Sequence, residues 1–379
     1  MSSDGSRREA ARLIALVRCA VNGDVPDAGL LDGADFELLF QEAERHLLTS
    51  AAAMALESAG IRNPAFSEAK SKAIRKCIAM EQEYLRIAAW MEANHFWYMP
   101  LKGALLKDYY PQFGMRQMAD YDILIDPESA DGLRGFMESR GYTVREFGKG
   151  HHDEYEKPPV YNFEMHRELI KPYPHQKIYA YYRNVRERLL PDSETGFCLH
   201  FSPEDFYLFM LAHEYKHYAI LGTGLRSLLD IYVYLGRFGG SLNKDYIAAE
   251  LEKLGLTDFE RESRNLAVAL FGGEELDDAQ KELLERYRYS GTFGSRESRV
   301  RYGIEAMGES GSRLRYVLRR LSIPKEQIRT DYPFFWKYKP LIPLLYPYRL
   351  IRALFLKGPV IRSELKALLR YGKGGGKEE

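Results

Sequence analysis

Asp120-Tyr121-Asp122-Ile123-Leu124-Ile125 decides how this chain is read: two acids one residue apart open a run of aliphatic side chains. Alternate side chains of a strand share a face, so Asp120 and Asp122 point the same way at the start of an otherwise apolar strand. Two carboxylates placed together repel. The arrangement suits a hard divalent cation between the oxygens, and Mg2+ favours one or two carboxylates together with substrate phosphates. The plainer alternative, less favoured, is that the acids cap neighbouring turns or pair with Arg116. A third acid, Glu164, lies in the apolar run 161–169, with Glu168 on the same strand face as its substitute. Three such acids are what a two-metal centre requires.

Working outward, residues 96–101 form a short apolar and aromatic run ended by Lys102-Gly103, the pattern of a buried strand feeding a turn. Gly103 would open a short helix over 104–110, where bare backbone N–H groups can hold phosphate and Lys102 adds charge. Downstream, Asp126-Pro127-Glu128 supplies an N-cap, an N1 proline and a first-turn acid for a helix that stops at Gly141. Strands are expected at 142–147 and 161–169, separated by a polar segment, 151–159, that ends in a proline pair. The order is therefore β-α-β-α-β-β.

Around this unit the periodicity is helical. Residues 7–95 carry apolar positions at helical spacing, with breaks at Asn22-Gly23 and Asn63-Pro64. Helices resume at Ser202-Pro203-Glu204-Asp205 and again after Gly222 and Gly224, and continue to about Leu321. Pro333, Pro340, Pro343 and Pro347 then punctuate an aromatic, basic stretch before a last helix at 360–369, and GKGGGKEE closes as a flexible tail. The expected fold is α+β: a small mixed-sheet core at 95–200 between an N-terminal helical region, 1–94, and a C-terminal one, 201–370, with the tail at 371–379.

Taken together, Leu101-Lys102-Gly103, Tyr110-Pro111, Arg116, Asp120-Tyr121-Asp122 and Glu164-Met165-His166 resemble the uncharacterised bacterial nucleotidyltransferases of the DNA polymerase β-like superfamily. The likeness continues through residues 202–205, the histidine helix 213–217, Gly224-Leu225-Arg226, Leu228-Leu229-Asp230 and the stretch 332–352. It implies attack of a hydroxyl on the α-phosphorus of a nucleoside triphosphate, with pyrophosphate leaving and two Mg2+ ions, or Mn2+, at the site. On the resemblance, Asp120 and Asp122 bridge the metals, and Glu164 holds the ion beside the nucleophile. Lys102 and Gly103 face the outer phosphates, Arg116 makes a further phosphate contact, and Lys216 reaches the nucleotide pocket. His166, His213 and Arg226 are second-layer or substrate residues. The chain departs from the superfamily in having Ala104 where a serine or glycine is usual, and in its Glu at the third acid position.

Other motifs compete. His213-Glu214-Tyr215-Lys216-His217 spells HExxH, the zinc-protease motif, which gives a zinc hydrolase as an alternative; Lys216 stands where such enzymes keep an uncharged residue. A nucleotide- or anion-binding module without chemistry is the other alternative. Arg226 and Asp230, four apart, read as an i,i+4 ion pair.

The 379 residues carry 54 basic and 54 acidic side chains, a balance that disfavours a dedicated nucleic-acid or membrane-surface protein. From Arg313 onward, however, 16 Lys/Arg face 5 Asp/Glu, so the C-terminal part is strongly basic and leaves a polyanionic partner open. Three scattered cysteines, Cys19, Cys77 and Cys198, fit reduced core thiols. No stretch reaches about 18 uncharged apolar residues, and MSSDGSRREA has no secretion-signal core. The chain is accordingly expected to be cytoplasmic, without membrane insertion.

Overall fold

The computed structural model describes residues 3–193, 196–294, 296–305 and 313–370; the tail expected at 371–379 lies outside the described residues. Four helices come first: α1 (Ser3–Asn22), α2 (Phe36–Arg45), α3 (Thr49–Ser58) and α4 (Pro64–Ala93). Asn63 caps α4 by accepting from the Ala65 and Phe66 amides, and Pro64 starts it, because a missing N–H costs nothing in a first helical turn. The α/β unit follows as β1 (Tyr98–Pro100), α5 (Gly103–Leu106), β2 (Tyr121–Ile125), α6 (Ala130–Ser139), β3 (Thr143–Glu146), β4 (His152–Lys157) and β5 (Tyr161–His166).

The five strands form one sheet in the order β1-β2-β5-β4-β3. Only β2 and β5 run parallel; every other pairing is antiparallel. The fold class is the expected α+β. The sequence reading missed β4, because 151–159 is so polar. Its residues nevertheless alternate: Asp153 and Tyr155 are buried, while His152, Glu154 and Glu156 are only partly covered. Burying Asp153 is tolerated because Arg167 and the Gly148 amide satisfy its carboxylate.

Beyond the sheet come α7 (Gln176–Tyr182), a short β6–β7 ribbon (Leu190–Pro191 and Leu199–His200), then α8 (Pro203–Tyr218), α9 (Leu225–Phe238), α10 (Lys244–Leu254), α11 (Thr257–Gly272) and α12 (Asp278–Ser290). Ser202 caps α8 through the Asp205 amide, as the sequence predicts. The remaining helices are α13 (Arg296–Glu305), α14 (Arg313–Leu321), α15 (Lys325–Asp331), α16 (Pro333–Lys337) and α17 (Ile342–Arg370). α17 starts well before the expected last helix. Pro343 falls in its first turn, where no intrahelical bond is forfeited, and Pro347 forfeits one.

Two cores position the site. Odd-numbered residues of β2, Tyr121, Ile123 and Ile125, pack with Phe163 and Met165 of β5 against Met80, Ile87 and Met91 of α4 and Leu133 and Met137 of α6. Each such fully buried side chain contributes about 1.5–3 kcal/mol. The larger core is helical, built chiefly from α1, α3, α8, α9 and α11, and reaches the sheet through Met99 and Leu124. α4 joins the two, since its Phe66 belongs to the helical core. The polar face of the sheet is thus left between sheet and helices. No helix of the described residues is long and apolar enough to cross a membrane.

Candidate active site

Apolar alternation on β2 and β5 fixes which side chains face the helices. With the odd positions committed to the core, Asp122, Glu164 and His166 emerge on the opposite face, and Asp122 stands directly across from Glu164 in the parallel register. β4 adds His152 opposite His166. On the far side, α8 contributes His213, Lys216 and His217, and α9 contributes Arg226. Between them is a cavity of ≈ 530 Å³ lined by all ten residues singled out from sequence: Asp120, Asp122, Glu164, Lys102, Gly103, Arg116, Lys216, His166, His213 and Arg226.

The acids differ in their surroundings. His166 Nε2 lies 3.1 Å from Asp122 Oδ1 and 3.6 Å from Glu164 Oε2. Burial alone would discharge this ring, but its bonds to the two carboxylates outweigh that and push its pKa up to about 9. Burial likewise raises Asp122, yet the His166 bond and charge, with Lys216 and Lys102 nearby, hold it below its ordinary value. Asp120, one residue before β2, is pushed up to about 6 by burial and by the charges of Asp122 and Glu164, against the pull of Arg226. Lys216 is brought down to about 8 by burial, offset in part by Asp122. One carboxylate that ionises easily beside one that resists is the signature of acids competing for too little positive charge.

Asp122, Glu164 and His166 each offer a ligand atom within 4.8 Å of the others. Their oxygens suit a hard divalent cation, and the raised pKa of His166 reflects the same pull of the two carboxylates for positive charge. Asp120 lines the same cavity but falls outside that close group.

Several expectations change in this setting. Arg116, read as a phosphate contact, is 4% exposed and gives Nε and Nη2 to Asp230 at 2.8 and 2.9 Å, while Tyr110 donates to the same carboxylate at 2.7 Å. The expected Arg226–Asp230 pair is replaced by this one, and Arg226 Nη1 instead donates to Gln117 O at 3.0 Å. Sequence spacing favoured the i,i+4 partner; a bidentate fork from a distant loop fits the carboxylate better.

The phosphate-binding helix end also shrinks. α5 is a single turn, and the Ala104 amide is taken by Leu101 O at 2.9 Å. Gly103 has a packing reason: a Cβ there would come 3.1 Å from Arg116 Nη1. Lys102 sits at φ 23°, in the region disfavoured for residues with a Cβ. Its Nζ lies 3.2 Å from His213 Nδ1, and burial lowers its pKa.

Glu214 of the HExxH motif accepts from Tyr287 Oη at 2.9 Å and, deeply buried, is pushed up to about 7. Among the described residues the groups able to hold a metal are Asp122-Glu164-His166 and His151-His152-His166, and neither includes His213 or His217. The zinc-hydrolase centre is not assembled there. Glu168, the substitute for Glu164, lies beyond the end of β5, is exposed, and faces Tyr179 Oη at 3.5 Å. Sequence reading missed His151, His152 and Lys171, which also line the cavity; for His152 the alternation in β4 was the available signal.

The segment holding these elements, residues 32–272, matches the model of a family described as uncharacterised nucleotidyltransferase. The chain belongs to that family. The match runs from just before α2 to the end of α11, so every acid of the cavity falls inside it, and α12 to α17 lie beyond. No curated protein and no solved structure matches the chain. Membership in the nucleotidyltransferase family supports nucleotidyl transfer in general terms and implies a nucleotide substrate.

Proposed function

We propose that this nucleotidyltransferase moves a nucleoside monophosphate from a nucleoside triphosphate to a hydroxyl acceptor in the ≈ 530 Å³ cavity. The observation that carries the reading is Asp122 set across from Glu164 on parallel strands, both facing that cavity. Asp122 and Glu164, with Asp120 beside them, would hold Mg2+ or Mn2+. Bound there, such an ion supplies charge neutralisation on the phosphate oxygens and lowers the pKa of an attacking hydroxyl.

The acceptor oxygen attacks the α-phosphorus, the bond from that phosphorus to the bridging oxygen breaks, and pyrophosphate leaves with the electron pair. The acceptor's proton passes to a carboxylate, and Glu164 is the group assigned to take it. Asp120, held near 6, is matched to the same work around neutral pH. Lys216 and Lys102 give the triphosphate side of the cavity its positive charge, and Arg226 adds to it. Arg116 acts indirectly, by fixing Asp230 and the floor beneath Gly103.

One observation favours the second reading, a binding module without chemistry: the His166 ring already stands between Asp122 and Glu164, its Nε2 at 3.1 and 3.6 Å from their oxygens. Incubating the full chain with α-labelled nucleoside triphosphates, Mg2+ and a panel of sugar, nucleic-acid and protein acceptors separates the two. Transfer of label with pyrophosphate release supports the enzyme; nucleotide binding without either supports the module; neither binding nor transfer sinks both.

A further inference from the structure

Three histidines lie together at the β4 edge of the cavity, and the transfer reaction described above uses none of them. His151 precedes β4, His152 opens it, and His166 closes β5 directly opposite His152. Their ring centroids are 4.5 Å (151 to 152), 5.3 Å (151 to 166) and 5.0 Å (152 to 166) apart. One ring nitrogen of each lies within 4.8 Å of one from each of the others. His151 is 8% exposed and His166 is 4% exposed.

The Nδ1 atoms of all three are buried without a hydrogen-bond partner. A buried imidazole nitrogen left unpaired is costly, and three on adjacent rings point to a shared partner. Imidazole nitrogens suit zinc-like ions, whereas Mg2+ takes oxygen donors. Three histidines with an open fourth position are a recurrent zinc donor set. His166 is also oriented as a ligand is: its Nε2 edge faces the Asp122 and Glu164 carboxylates, which leaves Nδ1 for a metal, the carboxylate–histidine–metal arrangement that fixes ring and tautomer.

We propose that His151, His152 and His166 form a binding site for a borderline transition-metal ion of the Zn2+ or Co2+ kind, distinct in donor chemistry from the carboxylate group it adjoins. Glu164, whose Oε2 is 3.6 Å from His152 Nδ1, is placed to complete or support it. Because His166 belongs to both groups, an ion here holds that ring as the neutral ligand and adds positive charge beside Asp122. The site does not depend on whether the protein transfers nucleotides.

The test is equilibrium dialysis of the metal-stripped full chain against Zn2+, with Co2+ as a spectroscopic probe. One Zn2+ per chain should be retained, and Co2+ should give the intense visible bands of a four-coordinate nitrogen site. Affinity should fall at least about tenfold in His152→Gln, the most exposed of the three rings, and in His151→Gln, and by about tenfold in Asp122→Asn through weakening of the orienting bond. His213→Ala should bind as the parent does. Weak six-coordinate Co2+ bands in the parent chain, no retained Zn2+, or Zn2+ lost in His213→Ala and kept in His152→Gln would each overturn the proposal. Circular dichroism confirms that each variant is folded, and the Co2+ spectrum of the parent decides the question even if His151→Gln is not.

Discussion

Two carboxylates beside the same cavity meet opposite fates. Asp230 is 2% exposed and receives three hydrogen bonds, two from the Arg116 fork and one from Tyr110. Burial raises its pKa, but Arg116 more than compensates and holds the carboxyl below its ordinary value. Asp122 has one contact from a titratable ring, with Glu164 and Asp120 competing for the same charge. A saturated carboxylate holds structure together. An unsaturated group of three is kept because something else completes it.

The difference can be broken from either side. The largest effect is expected on activity: Asp122→Asn should lower transfer by at least about a hundredfold while the chain stays folded, at a stability cost smaller than that of Arg116→Ala, because the amide oxygen can still accept from His166. A fall in melting temperature at full activity would reverse the assignment. Arg116→Ala should do the converse, destabilising the chain by about 3–5 kcal/mol in chemical denaturation, since it strands the buried Asp230 charge. The pair also fixes an acid limit. Asp230's folded pKa is depressed, so its stabilisation is present above about pH 4 and lost as pH falls through the folded value.

A third carboxylate sharpens the contrast. Glu214 rises from 4.5 to about 7 because burial outweighs the help of Lys102 and Tyr287. The folded state therefore binds this proton more tightly than the unfolded one, and stability falls as pH climbs from about 4.5 to 7. Glu214→Gln should remove that slope and gain up to about 3 kcal/mol above pH 7, read from denaturation curves between pH 5 and 8.5. An unchanged slope would show that Glu214 is not its source. The smallest effect serves as a baseline: Asn63→Ala, which removes the α4 cap outside the cavity lining, should cost about 1 kcal/mol and leave turnover unchanged.

The fold and site were legible where local rules dominate. β2 spans the expected residues because its alternation is strong, the Asp126 and Ser202 caps form as read, and the break at Asn63-Pro64 is where α4 starts. β4 was hidden because its buried acid is satisfied by Arg167, a partner 14 residues away that no local pattern reveals. The pairing of Arg116 was hidden for the same reason on a larger scale: its partner Asp230 is 114 residues distant. The ten candidate residues do meet at one cavity, yet only the structure separates those with complete partners from those without.

The most direct measurement is nucleoside triphosphate affinity by calorimetry, with and without Mg2+, for the parent chain and Asp122→Asn. The account predicts that Mg2+ tightens binding at least about tenfold in the parent, and that the variant loses this response while staying folded. Binding that ignores Mg2+ in the parent, or an equal Mg2+ response in Asp122→Asn, would contradict it.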